Sequence, residues 1–305
     1  MRISIVIPVY NAEKIISQLI NKIILCVTQI TVDYEIILVE DCGSDNSWNE
    51  INKLAHDNSK IIGVKLSRNF GQHYAITAGL DLADGDWVVI MDCDFQDPPE
   101  SIVDLYQRAI QGFDIVLAIR ENRLDAPFKK ISSKVFNKFL SYISDMEFDH
   151  RVGAFRILSK EVVGHYKLMR ESHRFFGGMI SWLGFKVDKV SVPHGRRFEG
   201  ESSYDIRKSF KLAMDGIFSF SHKPLMLAIK FGLMLVLISS IFILYKIVMA
   251  MLTPSSVVGW SSLIASVFFS TGLIICILGL VGLYVGRIFE QVKNRPLYVI
   301  QKRIN

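Results

Sequence analysis

Forty consecutive residues, 247–286, carry no charged side chain. A membrane-spanning helix needs about 20 apolar residues, so this stretch has room for one span and a connecting loop. The apolar run before it is interrupted only by Lys230 and Lys246, whose amines can reach the bilayer surface while their stems stay buried. The sequence therefore predicts two transmembrane helices, at about 225–250 and 261–285, rather than buried core helices.

The charges are divided unevenly along the chain. Residues 1–224 hold 28 basic and 29 acidic residues, whereas residues 225–305 hold seven basic residues and one acidic residue. Basic residues flank both expected spans and the loop between them has none, so the positive-inside rule places both ends in the cytoplasm. The basic excess lies beside apolar segments, which disfavours a nucleic-acid partner. No signal peptide follows Arg2, because the apolar run after it is too short.

Small residues recur every fourth position in the second expected span. They are Ser262, Ser266 and Ser270, then Gly282 and Gly286. Such spacing lets helices approach closely, either within the two-helix hairpin or between copies in a homo-oligomer. The four cysteines lie singly, so neither a disulfide framework nor a zinc site is indicated.

The segment 205–224 alternates basic and apolar residues just before the first span. This pattern is typical of an interfacial helix on the membrane surface. It is equally typical of an amphipathic helix that packs on the soluble domain.

Short apolar runs alternate with helical stretches in the first 120 residues. The predicted strands are 3–8, 34–39, 61–66, 87–91 and 115–119, and the predicted helices are 13–30, 47–55, 72–83 and 98–111. Continuous apolar strands alternating with helices indicate an α/β fold: a mostly parallel sheet with helices on both faces. Ligands bind such sheets at the carboxyl ends of the strands.

Two acidic residues follow the fourth predicted strand. Alternate residues of an extended segment point the same way, so Asp92 and Asp94 can converge. Two carboxylates repel each other unless a cation lies between them, and oxygen ligands suit Mg²⁺ or Mn²⁺. Asp97 has a different interpretation, because Pro98 and Glu100 follow it in the pattern of a helix capping box.

A basic cluster follows the fifth predicted strand. Its members include Arg120, Arg123, Lys130 and Lys134. They form either a solvated basic face or a phosphate site beside anionic lipid. We expect the phosphate site, because the cluster begins at a ligand-binding strand end and precedes a membrane anchor.

An ordered set of motifs resembles the family-2 glycosyltransferases along nearly the whole chain. The closer match is the polyprenyl-phosphate branch, which includes dolichol-phosphate mannosyltransferase and bacterial undecaprenyl-phosphate sugar transferases. The motifs are Ile5 to Asn11, Glu40-Asp41 with Asp45-Asn46-Ser47, Arg68 to His73, Asp92 to Glu100, Gly153 to Arg156, Arg197 with Gly200-Glu201-Ser202, and Tyr284 to Ile288. Ala12 stands where the family has Glu, and Glu13 follows it.

The resemblance implies a nucleotide-sugar-binding fold of the glycosyltransferase A type and a set of site residues. The implied nucleotide-sugar contacts are Pro8, Tyr10, Asn11, Glu13, Asp41, Arg68, Asp92 and Arg197. Asp92 and Asp94, with Gln96, would hold the metal and the diphosphate. Asp149 is the nearest acid to the family's Asp before Gly153 and is the candidate base.

Together with the predicted spans, the resemblance implies a bacterial inner-membrane transferase of the cell envelope, similar to those that modify lipopolysaccharide. It would move one sugar from a nucleotide diphosphate, expected to be UDP, to undecaprenyl phosphate, with inversion. The predicted organisation is a catalytic domain at 1–204, an interfacial segment at 205–224, two spans within 225–285 and a basic cytoplasmic tail at 286–305. A processive polysaccharide synthase and a non-catalytic sugar-nucleotide-binding scaffold are the alternatives.

Overall fold

The computed structural model describes residues 1–120, 152–193, 223–252 and 259–305. The interfacial segment therefore lies outside the described residues, apart from Lys223 and Pro224, which begin a helix. The loop between the two expected spans is described only at its edges.

One eight-stranded sheet organises the described part of the chain, in the order β7-β5-β6-β4-β1-β2-β3-β8. The strands are β1 (Ile3–Val9), β2 (Tyr34–Glu40), β3 (Ile61–Leu66), β4 (Trp87–Ile90), β5 (Ile115–Arg120), β6 (Val152–Ser159), β7 (Val187–Val192) and β8 (Ile300–Ile304). The helices are α1 (Ile16–Val27), α2 (Ser47–Asp57), α3 (Gln72–Leu82), α4 (Ser101–Ala109), α5 (Lys160–Leu168), α6 (Phe176–Trp182), α7 (Lys223–Leu252) and α8 (Trp260–Val292).

Helices cover both faces of the sheet. Helices α1, α2 and α4 contribute to the hydrophobic cluster on one face, and α3, α5 and α6 to the cluster on the other. The pairs β1–β2, β1–β4, β2–β3 and β5–β7 are parallel, and those involving β6 or β8 are antiparallel. The predicted α/β fold with a mostly parallel sheet is confirmed.

The central strands are buried along their whole length. Every residue of β2 is buried, and so is all of β1 except Pro8. Helix α1 presents Ile16, Leu19 and Ile23 to the sheet, one face of a 3.6-residue period. Burial on both faces of the sheet is why these strands read as continuous apolar runs.

The predicted capping box at Asp97 is wrong. Helix α4 begins at Ser101 with Glu100 as its N-cap, and the Glu100 side chain does not cap it. A residue before a proline is pushed out of the helical region, so Pro98, which precedes Pro99, does not start the helix. Asp97 lies before this segment and is 2% exposed.

The segment expected as a basic tail contains two ordered elements. Helix α8 continues beyond residue 285 to Val292, and β8 pairs antiparallel with β3. Asn305 then donates hydrogen bonds to the carbonyls of Ala55 and Ile61, at 2.8 and 2.9 Å. Residues after the second apolar helix are therefore part of the catalytic sheet.

Both expected spans are helical. Helices α7 and α8 line a common cavity with residues that include Ala228, Phe231, Leu273 and Cys276. Within the described ranges, one stretch, Ser266–Val292, is long and apolar enough to cross a membrane. The two-span topology and its orientation stay predictions.

Candidate active site

Three residues in left-handed conformations mark the carboxyl ends of adjacent strands. Asn11, Cys42 and Phe95 have φ angles of 50°, 54° and 58° and follow β1, β2 and β4. Holding a non-glycine residue there costs about 1–3 kcal/mol, and such residues cluster at functional sites. The edge where ligands were predicted to bind is thus the strained edge of the sheet.

The loops after β1 and β2 are tied together by predicted nucleotide contacts. Asn11 Oδ1 accepts a hydrogen bond from the Ser44 amide at 2.8 Å, and Glu13 Oε2 accepts one from the Asn46 amide at 3.1 Å. Asp45 Oδ2 accepts from the Glu13 amide at 2.9 Å. Burial would raise the pKa of Asp45, but this bond and those from Ser47 outweigh burial and lower it. Asn11 and Glu13 therefore shape the site, and their contact with a nucleotide stays a prediction.

Pro8 and Tyr10 lie at the same edge. Pro8 is half-buried within β1, and Tyr10 is 55% exposed just beyond it. An exposed aromatic ring at a strand end is available to contact a ligand, and the nucleotide contact of Tyr10 stays a prediction.

Asp41 connects β2 to the loop before α3. Its Oδ1 accepts from the Phe70 amide at 2.7 Å and its Oδ2 from the Gly71 amide at 2.8 Å. Burial raises the pKa of Asp41, against the opposing effect of these bonds and of Arg68. Arg68 itself lies over the Phe70 ring, 4.4 Å from its centroid. Asp41 thus holds the Arg68–Gly71 segment in place.

Glu40 is a site residue that the sequence reasoning gave no separate role. It is 1% exposed, and its Oε1 accepts from the Gly43 amide at 2.5 Å. Its Oε2 lies 3.8 Å from Lys65 Nζ, its register partner on β3. The signal available in the sequence was an acidic residue at the end of an apolar strand, which indicated that Glu40 belongs to the site.

Asp92 and Asp94 occupy the turn after β4, as the sequence predicts. Asp92 Oδ1 accepts from Gln72 Nε2 at 2.6 Å, and Asp94 Oδ1 accepts from the Gln96 amide at 3.0 Å. Cys93, between them, packs against a hydrophobic cluster. Burial, reinforced by Asp94 and Asp92, raises the pKa of Cys93, so the thiol stays protonated.

The donor set suits Mg²⁺ or Mn²⁺ held partly by substrate. Among the described residues, no group of three or more His, Cys, Asp or Glu side chains converges to bind a metal. A pair of carboxylates supplemented by substrate phosphates is how Mg²⁺ is commonly bound, whereas a Ca²⁺ or zinc site needs more protein ligands.

A buried basic group that the sequence reasoning missed lies on the α3 face of the sheet. Arg156 on β6 and Arg174 before α6 are 5% and 6% exposed. Burial, with a smaller effect of Arg156 and Arg174, lowers the pKa of His73 to about 4. Burial also lowers the pKa of Arg156 to about 10, against the opposing effect of Asp92. The Gly153–Arg156 motif was a signal for Arg156, but none marked Arg174.

Of the remaining predicted site residues, the described part of the chain contains only Arg120. Arg120 is the final residue of β5, in register with Val192 on β7. Strand β5 runs parallel to β4, so Arg120 lies at the same edge of the sheet as Asp92. The other members of the predicted sites lie outside the described residues: Arg123, Lys130, Lys134, Asp149 and Arg197.

Comparison with solved structures shows the same fold. Mannosyl-3-phosphoglycerate synthase from Rubrobacter xylanophilus aligns with a TM-score of 0.52 at 14% identity, covering 70% of this chain and 71% of its own. Glucosyl-3-phosphoglycerate synthase from Mycobacterium tuberculosis, solved with Mn²⁺, UDP and phosphoglyceric acid, aligns with a TM-score of 0.50 at 17% identity. That alignment covers 71% of this chain and 76% of the synthase.

Sequence relatives match over almost the full length. An uncharacterised glycosyltransferase of Bacillus subtilis is 36% identical over 98% of this chain and 93% of its own length. A prophage-derived bactoprenol glucosyl transferase of Shigella flexneri is 36% identical over 99% of this chain and 98% of its own. The pattern of glycosyl transferase family 2 matches residues 4–172. With the fold and strand-end carboxylates already described, these matches show that the chain belongs to glycosyl transferase family 2.

Proposed function

We propose that this protein transfers a single sugar from a nucleoside-diphosphate sugar to a polyprenyl phosphate at a membrane. The observation that carries the proposal is the match to the bactoprenol glucosyl transferase of Shigella flexneri, which covers 99% of this chain, including both apolar helices. A soluble acceptor would not explain why the chain has two long apolar helices. Undecaprenyl phosphate and a UDP-sugar are the substrates we expect.

A divalent cation would be held by Asp92 and Asp94, with Gln96 beside them. When bound, Mg²⁺ or Mn²⁺ would act as a Lewis acid that neutralises the leaving diphosphate. The glucosyl-3-phosphoglycerate synthase with the same fold was solved with Mn²⁺ and UDP, which supports this assignment. Gln72 positions the Asp92 carboxylate through its 2.6 Å hydrogen bond.

The reaction we propose is a displacement at the anomeric carbon. An oxygen of the lipid phosphate forms a bond to that carbon, and the bond to the nucleoside diphosphate breaks, with its electron pair leaving on the diphosphate. Attack opposite the leaving group inverts the configuration. A phosphate monoester has a second pKa of about 6, so it is largely ionised at neutral pH and needs no general base.

The repulsion between the two negatively charged substrates is the difficulty that remains. Arg120, Arg123, Lys130 and Lys134 are the cations that we expect to screen the lipid phosphate. Asp149, the candidate base, would be dispensable for a nucleophile that is already ionised. We place the enzyme in the bacterial inner membrane, with both ends and the catalytic domain in the cytoplasm.

The first test is the substitution Asp94→Asn in the purified, detergent-solubilised full chain. Losing one metal ligand should reduce sugar transfer to undecaprenyl phosphate by about 10²–10³-fold, the usual effect of losing electrostatic stabilisation of developing charge. A screen of UDP-, GDP- and dTDP-sugars with Mg²⁺ or Mn²⁺ identifies the donor first. Asp104→Asn, at an exposed position of α4, is the matched control. Retention of more than half of the wild-type rate by Asp94→Asn would contradict the metal assignment.

A further inference from the structure

Arg174 is a buried arginine whose guanidinium is only partly used. The residue is 6% exposed, and Nη1 donates to the Met169 carbonyl at 2.8 Å. The guanidinium carbon lies 4.8 Å from the centre of the Tyr166 ring. Nε and Nη2 are buried and have no hydrogen-bond partner in the structure.

The two unpartnered nitrogens form one edge of the guanidinium. Hydrogens on Nε and Nη2 point in the same direction, which is the fork that binds two oxygens of a phosphate or a carboxylate. A buried donor without a partner is costly, and the cost is greater for a charged group. A ligand that offers two acceptor oxygens would complete this arrangement.

The protein supplies no anion to this edge within the described residues. The Arg156 guanidinium donates hydrogen bonds to the carbonyls of Ala154 and Gly153, at 3.0 and 2.6 Å. Asp81 already accepts from Arg170 Nη1 at 2.8 Å and from the Tyr298 hydroxyl at 2.7 Å. His73, whose Nδ1 is also buried without a partner, has no negative charge that could neutralise the arginines. Within the described part of the chain, the Nε and Nη2 edge of Arg174 therefore has no partner that neutralises its charge.

The loop that carries Arg174 contacts both the first turn of α3, through Phe175 and His73, and the end of α8, through Ser172 and Gln291. Towards the turn, His73 follows Gln72, whose side chain donates to Asp92. Towards the helix, the Ser172 amide donates to Gln291 Oε1 at 2.7 Å, and Gln291 Nε2 donates to the Arg170 carbonyl at 3.2 Å.

We propose that the Nε and Nη2 edge of Arg174 binds a phosphate group of one of the two substrates. The site is a phosphate-binding position additional to the basic cluster that follows β5. The identity of the phosphate rests on the proposed function, because that function supplies both a lipid phosphate and a nucleoside diphosphate. Arg174 is therefore a binding residue and takes no part in proton transfer.

The test compares Arg174→Lys and Arg174→Met in the full chain. Lysine keeps the charge and loses the fork, whereas methionine keeps an apolar stem against Tyr166 and loses both. Arg170→Lys is the matched control, because Arg170 lies on the same loop and is paired with Asp81. Kinetics with undecaprenyl phosphate and equilibrium binding of UDP distinguish the two phosphate sources.

We expect each Arg174 substitution to weaken one of these two interactions by about ten-fold or more, the usual effect of losing a charged hydrogen bond. A higher KM for undecaprenyl phosphate with unchanged UDP binding assigns the acceptor phosphate. Weaker UDP binding assigns the donor diphosphate. Wild-type values for both substrates in both variants would overturn the proposal.

A second measurement does not depend on enzyme activity. Pyrophosphate, added with a chelator to remove divalent cations, should raise the Tm of the wild type and of Arg170→Lys relative to sodium chloride at equal ionic strength. It should not raise the Tm of Arg174→Met. If no variant or wild type transfers sugar but this difference persists, the proposed function fails and the phosphate site stands. Equal shifts in all three proteins would overturn the site.

Discussion

His73 illustrates how the fold controls a single side chain. It lies in the first turn of α3 and contacts the Phe175 ring edge-on, with ring centroids 5.9 Å apart. Burial and the two nearby arginines lower its pKa to about 4, so the imidazole is neutral at physiological pH. A neutral ring leaves the positive charge of this region on the arginines alone.

The lowered pKa predicts acid sensitivity. Because the folded protein binds this proton less readily than the unfolded chain, His73 stabilises the fold above pH 6.5, and the contribution is lost as the pH falls towards 4. The loss amounts to at most about 3 kcal/mol. His73→Gln should therefore show a smaller drop in Tm between pH 7.5 and pH 5 than the wild type. His56→Gln, at an exposed position on α2, is the control and should behave as the wild type does. An unchanged drop in His73→Gln would contradict the burial of a neutral ring.

The residues of the site differ in how far the sequence predicts them. Asp92 and Asp94 could be placed because a strand end and a two-residue spacing are both visible in the sequence. Asp41 could be placed at the site, but its hydrogen bonds to the Phe70 and Gly71 amides come from a loop 29 residues away. Arg174 lies in a loop that has no hydrophobic periodicity. Its burial is therefore visible only in the structure, where it packs over the Tyr166 ring.

Close packing between α3 and β1 depends on a single glycine. A Cβ at Gly79 would lie 2.3 Å from Val6 Cγ1, whereas a Cβ at Gly164 on α5 would meet no atom within 4 Å. Both glycines lie within helices, so they share the intrinsic cost of glycine there. They differ only in the space available.

This pair gives opposite predictions for the same substitution. Gly79→Ala should lower the free energy of unfolding by about 1–3 kcal/mol, because the helix must move away from the sheet. Gly164→Ala should raise it by as much as about 1 kcal/mol, through helix propensity alone. Thermal unfolding of both variants measures the difference. A Gly79→Ala variant at least as stable as Gly164→Ala would contradict the close approach of α3 to β1.

Strands β1 to β5 could be predicted, whereas β6, β7 and β8 could not. Strands β1 to β5 are mostly buried on both faces and so appear as apolar runs. Strand β6 is interrupted by the buried Arg156, which breaks such a run. Strands β7 and β8 are edge strands with mostly partly or fully exposed residues, and charged side chains are expected at an edge.

The whole molecule combines a packed α/β domain with helices whose apolar side chains face outward. Leu237, Phe268 and Ile275 are 63%, 75% and 63% exposed. Monomeric soluble proteins rarely expose contiguous apolar surfaces of this extent, so such a surface indicates contact with lipid or another protein. Surrounding lipid is the environment in which we expect α7 and α8 to lie.

The hairpin topology predicts that the loop between the two helices faces away from the catalytic domain. In a background without the native cysteines, Ser256→Cys should react with an impermeant thiol reagent added to intact cells. Gln29→Cys, exposed on the catalytic domain, is the control and should react only after lysis. Reaction of Ser256→Cys only after lysis would contradict the hairpin.

The pairing of β8 with β3 has a consequence for biosynthesis. Residues 63–66 emerge from the ribosome long before their partners at 300–304, and both apolar helices are made in between. The β3 edge therefore stays unpaired on this side until both apolar helices have been synthesised. Closing so long a loop is also slow, since non-local pairings delay folding. Pairing of β8 therefore completes the sheet only after both apolar helices have been made.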